Sequence, residues 1–237
     1  MQGILYIVAT PIGNLEDITL RALRVLKETD MVLAEDTRVT KKLLSHYRIE
    51  KPLLSYRQHS GGGAVERILG MLKQGKKLAL VTDAGTPGIA DPGNKLVEEA
   101  IGRLGDRVCV VPIPGPSAVT ALASVAGIPM DRFCFFGYPP AKKGRKKFFE
   151  EVGKSNHSVI LYESPHRIIR TLNDLSEAMK LRNHETTQLV VGRELTKKFE
   201  TITRGNVSEI LQQIKKQKPQ GEYTIILGAT KEKKRSF

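Results

Sequence analysis

Strand-like and helix-like segments alternate along the first half of this chain, and that alternation constrains its fold more than any other feature. ILYIVA (4–9), MVLAE (31–35), KLALVT (77–82) and VCVVPI (108–113) are short apolar runs rich in Val, Ile and Leu. Between them lie the helical patterns ITLRALRVLKE (18–28), KKLLSHY (41–47), AVERILGMLKQ (64–74) and NKLVEEAIGRL (94–104). Apolar runs of this kind read as buried strands. Strands separated by helices predict a mostly parallel sheet covered by helices, an α/β architecture.

The pattern changes at IPGPSAVTALASVAGIP (113–129), where a Pro-Gly-Pro turn leads into a helix of small residues. A domain junction is expected there. It gives an N-terminal α/β domain over 1–115 with a mostly parallel sheet, and a C-terminal α/β domain over 116–237 with a mixed sheet and a basic surface. In the second half FCFFGY, SVILYES, QLVVGREL, ETITRG and EYTIILGA read as strands, with helices near 142–153, 165–180 and 206–216. No internal repeat is visible, and KEKKRSF (231–237) is a charged tail.

Composition narrows the function classes. The chain has 237 residues, 40% of them hydrophobic, enough for a proper core. No apolar run approaches the roughly 20 residues of a membrane span, and MQGILYIVATPIGN has no basic leader, so a cytoplasmic protein is expected. Cys109 and Cys134 both sit in apolar runs and read as buried thiols, and no Cys/His spacing suggests a metal. The net charge of +13 is uneven: residues 1–115 carry 16 Lys+Arg and 13 Asp+Glu, residues 116–237 carry 22 and 12. Such a surplus suits a polyanion, with a merely solvated basic face as the alternative. Aromatics are few, at 5% with no Trp, and none interleave with Lys or Arg, so base stacking on a sheet is not expected.

In an open parallel sheet ligands sit outside the carboxyl ends of the strands. The residues there are ATPIGNLED after the first strand, AEDTR after the second, TDAGTPGIADPG after the third and PIPGPSA after the fourth. Gly and Pro allow close approach of the main chain to a ligand, and Asp83 adds a carboxylate. Any one of these segments could be a tight turn with a capping Asp, but four on one edge strain that reading. No GxGxxG follows the first strand. GMLKQGKK (70–77) fits GxxxxGK, yet it ends a helix before a strand and has Lys77 where a P-loop has Ser or Thr. The long loop 82–93 has no Lys or Arg, so a neutral or cationic ligand such as S-adenosylmethionine fits better than a nucleotide triphosphate.

ATPIGNLEDITLRAL, LAEDTR, VTDAGTPGIADPG, PIPGPSAVTAL, FFGYPP and LYESPHR together resemble the tetrapyrrole methylase family, and within it the members that act on ribosomal RNA. The resemblance covers nearly the whole chain. It implies two α/β domains with the methyl donor, S-adenosylmethionine, in the interdomain cleft, a cytoplasmic homodimer, and 2′-O-methylation of a cytidine ribose in small-subunit ribosomal RNA or the assembled small subunit. It implies donor contacts from Pro11, Asp83, Gly85, Thr86, Ser117 and Ala118, and from Leu161, Tyr162, Gly192 and Arg193.

Methyl transfer to a hydroxyl needs alignment and a group to take the proton. The candidate catalytic residues are Glu35, Asp36 and Arg38, and Glu163, His166 and Arg167. Their alternatives are an ion pair or helix cap at Asp36 or Thr37, and a helix start at Ser164-Pro165. Lys142, Lys143, Arg145, Lys146 and Lys147 are the candidate RNA contacts, against a solvated loop. His46, His59, His157 and His184 suggest no role, and the triple glycine at 61–63 reads as a flexible connector or a substrate flap. A methylase of small tetrapyrroles and a non-catalytic RNA-binding protein are the competing functions.

Overall fold

The computed structural model describes residues 2–57, 62–181, 187–216 and 218–229. The chain divides into two units, Met1–Ser117 and Ala118–Phe237.

The first unit contains β1 (Gly3–Val8), α1 (Leu20–Glu28), β2 (Met31–Ala34), α2 (Thr37–His46), β3 (Leu53–Ser55), α3 (Gly62–Lys73), β4 (Lys77–Val81), α4 (Asn94–Leu104) and β5 (Val108–Ile113). Its strands form one sheet in the order β3-β2-β4-β1-β5, every pair parallel. Both faces are covered. Leu5, Leu33, Leu78 and Leu80 pack against Ile68 and Leu72 of α3 and Leu96 of α4. Val8, Val32, Ala79 and Val81 pack against Val25 and Leu26 of α1 and Leu44 of α2. Successive strand residues point to opposite faces, which is why runs such as LALV are apolar at every position. Thr19 caps α1 by accepting from the Ala22 N–H at 3.1 Å.

The second unit contains α5 (Ala118–Val125), β6 (Phe133–Gly137), α6 (Arg145–Lys154), β7 (Ser158–Glu163), α7 (Ile168–Lys180), β8 (Leu189–Arg193), β9 (Thr201–Gly205), α8 (Val207–Lys215) and β10 (Tyr223–Leu227). The sheet order is β6-β7-β10-β8-β9; β6 and β7 are parallel and the other pairs antiparallel. Leu161, Val191 and Ile225 face a core built with Phe149 of α6, Leu172 and Leu175 of α7 and Ile210 of α8. On the opposite face α5 lies against β10. A side-chain carbon at Gly192 would stand 2.8 Å from Leu122 Cδ1 of α5, so that strand position has to stay bare.

Two readings change. β3 was not expected, and α7 begins at Ile168 after a turn in which the Ser164 carbonyl accepts from Arg167 and Ile168. Gly62 and Gly63 open α3, whereas Gln58–Gly61, His59, His184 and the KEKKRSF tail lie outside the described residues.

Candidate functional site

Because every strand of the first sheet runs the same way, the segments following β1, β2, β4 and β5 fall on one edge. They are tied to one another. Thr10 and Gly85 exchange backbone hydrogen bonds, N–H of Thr10 to Gly85 O at 2.9 Å and N–H of Gly85 to Thr10 O at 3.1 Å. The buried Thr10 hydroxyl donates to Thr82 O at 3.2 Å, and the Thr86 hydroxyl donates to Pro116 O at 3.1 Å. Gly85 holds φ at +83°, a conformation natural to glycine, and this lets the loop turn back to meet Thr10.

The acidic groups of this edge also meet. The Asp36 N–H donates to Asp83 Oδ1 at 3.1 Å, and the Asp83 N–H points to Glu35 Oε2 at 3.5 Å. Arg57 Nε donates to the Glu35 carbonyl at 3.3 Å. Asp36 caps α2 through the Arg38 N–H at 2.8 Å and pairs with the Arg38 guanidinium at 2.6 Å. That guanidinium holds the Asp36 carboxyl far below the usual carboxylate range. Glu35 and Asp83 move the other way. Loss of hydration pushes both carboxyls up, helped by repulsion from the neighbouring acids, although Asp83 keeps an exposed surface.

Pro11 and Asp83 share a pocket of about 240 Å³ whose wall includes Thr10, Val39, Leu43 and Lys42. Gly85, Thr86 and Ser117 belong to the braced loops beside them, and Ala118 is the first residue of α5 in the second unit. The lining is apolar at Pro11, Leu15, Val39 and Leu43 and carries the Asp83 carboxylate, which has lost part of its hydration and suits a ligand with a positive centre, with Lys42 on the same wall.

The second unit holds a different constellation. Glu163 is 1% exposed and accepts three hydrogen bonds: from the Ser164 N–H at 2.7 Å, the Thr171 hydroxyl at 2.6 Å and Arg167 Nη2 at 2.9 Å. The Thr171 hydroxyl accepts in turn from Arg145 Nη2 at 2.8 Å, and Arg145 Nε pairs with Asp174 Oδ2 at 2.6 Å. His166 is exposed beside this network. Thr171 and Asp174 were not anticipated, although 167, 171 and 174 fall on one helical face, and Arg57 was also missed.

Of the residues with an implied donor role here, Leu161 is fully buried in the α6–α8 core, and Tyr162 is half-buried on the other face of β7. Across β10, Thr224 stands opposite both Tyr162 and Gly192. Arg193 donates to Gln220 O at 2.7 Å. Within the basic run Lys142, Lys143, Lys146 and Lys147 are exposed, but Arg145 is 4% exposed. It packs over the Phe149 ring and spends its donors inside the protein, so it has to be removed from the groups available to a polyanion.

The sequence profile of the tetrapyrrole (corrin/porphyrin) methylases matches residues 4–211. Ribosomal RNA small subunit methyltransferase I of Thermotoga maritima is 46% identical over 226 residues, covering 95% of this chain and 98% of the relative. The protein of the same name from Synechocystis is 42% identical over 238 residues, covering 100% and 83%. Among solved structures, the methyltransferase CobJ superposes with a TM-score of 0.69 at 16% identity, over 97% of this chain and 95% of that one, a likeness of fold alone.

Proposed function

This chain belongs to the tetrapyrrole methylase family, and from that premise we propose that it transfers a methyl group from S-adenosylmethionine to the 2′-oxygen of a cytidine ribose in small-subunit ribosomal RNA. The observation that carries the reading is the near-complete overlap with relatives named for small-subunit ribosomal RNA methylation, at 46% and 42% identity. The edge of the first sheet supports it, because its pocket sets the partly desolvated Asp83 carboxylate beside the apolar Pro11, Val39 and Leu43.

When bound, S-adenosylmethionine supplies an electrophilic methyl group on a positive sulfur. Pro11 and Asp83 would hold it in the first unit, with Gly85, Thr86 and Ser117 in the supporting loops; Ala118, Tyr162, Gly192 and Arg193 are the candidates from the second unit, whereas the Leu161 side chain is shut in the core. The ribose oxygen must lose its proton as it gains the methyl group. Glu35 and His166 are the groups best suited to take it. Asp36 is committed to Arg38 and the α2 cap, and Glu163 is sealed within its three hydrogen bonds. Arg38 and Arg167 then act by orienting those carboxylates.

The reading includes a cytoplasmic homodimer acting on ribosomal RNA or the assembled small subunit. No helix among the described residues is long and apolar enough to cross a membrane. The test is incubation with labelled donor and small subunits from a strain that lacks the protein, followed by mapping of the modified nucleotide. One 2′-O-methylcytidine is expected. Label on an added tetrapyrrole instead, or donor binding without any transfer, would overturn the proposal; sedimentation of the purified protein tests the dimer.

A further inference from the structure

Three arginines of the second unit donate to three consecutive carbonyls of one loop. Arg167 Nη1 reaches Pro139 O at 3.1 Å, Arg145 Nη1 reaches Pro140 O at 3.0 Å, and Arg170 Nη1 reaches Ala141 O at 3.1 Å. Hydrogen bonds from charged donors are about twice as strong as neutral ones, so the segment is held firmly.

Just before this clamp the pairing of β6 with β7 shifts register between Phe135 and Gly137, and Gly137 takes φ +63°. A bulge of this kind re-aims the chain. Tyr138 emerges from it 50% exposed. Its ring leans on Tyr162 at 5.5 Å between centroids, and Tyr162 meets Phe135 edge-on at 5.0 Å. The inner end of this aromatic row is anchored in the sheet, and the outer end faces solvent. Beyond the clamp come Lys142 and Lys143, both exposed.

An exposed ring beside cations is what single-stranded nucleic acid binds, with bases stacked on the aromatic face and phosphates near the positive charges. A loop already fixed by its own protein loses little further freedom on binding. We propose that Tyr138 stacks on an unpaired base of the RNA, that Lys142 and Lys143 contact the flanking phosphates, and that Arg145, Arg167 and Arg170 position this element. The inference rests on the RNA reading of the function and adds a contact site to it.

The experiment titrates a short fluorescein-labelled single-stranded RNA against the wild type and Tyr138 variants over a range of salt. Tyr138→Ala should lower affinity by about five- to a hundredfold, the range of base–aromatic stacking, with the salt slope unchanged. Tyr138→Phe should stay within twofold, because it keeps the ring. Binding of a blunt RNA duplex should not change in Tyr138→Ala, since its bases are already stacked. Arg170→Met should weaken binding alone but add little in the Tyr138→Ala background; fully additive losses would remove the clamp from the proposal. Equal binding by wild type and Tyr138→Ala, with subunit methylation intact, would overturn the stacking site and leave the proposed function standing. A wild type that binds donor but neither this RNA nor the small subunit would overturn both.

Discussion

Arg145 Nε lies 2.6 Å from Asp174 Oδ2, joining the first turn of α6 to the middle of α7. The guanidinium is nearly inaccessible while the carboxylate is partly exposed, so the arginine depends on the pair more than the acid does. Removing one partner of such a pair leaves the other charge poorly solvated. Asp174→Asn should therefore lower unfolding stability by roughly 1–3 kcal/mol, and Arg145→Met by a similar amount. Lys142→Met, a few residues away on the surface, should stay within about 0.5 kcal/mol. Urea unfolding of the three variants checks the order, and equal small losses would deny Arg145 a structural role.

The carboxyls of Glu35 and Asp83 are raised in the folded protein, chiefly by lost hydration. A carboxyl with a raised folded pKa contributes stability that is present below its unfolded pKa, about 4, and is lost as pH rises through the folded value. Glu35→Gln and Asp83→Asn should thus be more stable than the wild type at neutral pH, with the gap closing as pH falls toward 4. Asp36, with its pKa lowered by Arg38, has the opposite sign: Asp36→Asn should lose stability at neutral pH. A donor with a positive centre favours ionised Asp83, so its affinity should rise with pH from about 4 upward and lose that trend in Asp83→Asn. Thermal unfolding and donor calorimetry across pH measure both effects.

The sequence marks the edge loops because Gly and Pro restrict the backbone locally, and it marks α4 at Asn94–Leu104 because glycine stands on both sides of an amphipathic run. β3 escapes notice because it is three residues long, half-buried, and shows no apolar alternation. The Glu163–Thr171–Arg145–Asp174 network is invisible for another reason. Its partners are 8, 26 and 29 positions apart, and nothing in KKGRKK distinguishes the one cation that folds inward from the four that do not. The aromatic row is likewise a tertiary product, assembled from Tyr138 and from Tyr162 on the neighbouring strand. Counting aromatics against basic residues along the chain misses it.

Gly85 offers a separate test of the first unit. A Cβ there would lie 3.5 Å from Ile12 Cγ2, an ordinary contact, so space does not forbid a side chain. The backbone does, since φ of +83° is costly for a β-branched residue. Gly85→Val should disturb the paired backbone bonds with Thr10 and lower donor affinity at least tenfold, about 1.4 kcal/mol. Gly85→Ala should fall between it and the wild type. Unchanged calorimetric affinity in both would place the donor away from this loop.

The four exposed lysines at 142, 143, 146 and 147 and the buried Arg145 make the last prediction a contrast within one short run. Gly144, at φ +82°, sets the turn into α6, which directs Arg145 inward toward Asp174 and leaves its neighbours in solvent. A lysine bound to phosphate displaces a counterion, so each lost contact should reduce the salt slope of RNA binding by about 0.7 to 0.9. Changing the four lysines to Gln should weaken RNA or subunit binding and flatten its salt dependence. Donor affinity should remain within twofold, about 0.4 kcal/mol. Arg145→Gln should behave in the reverse manner: it should lower the unfolding midpoint while leaving the salt slope of the folded protein unchanged, because its guanidinium reaches Asp174, Thr171 and Pro140 rather than solvent. An unaltered slope in the lysine variant would assign the phosphate contacts to other basic groups, and a flattened slope in Arg145→Gln would contradict its burial.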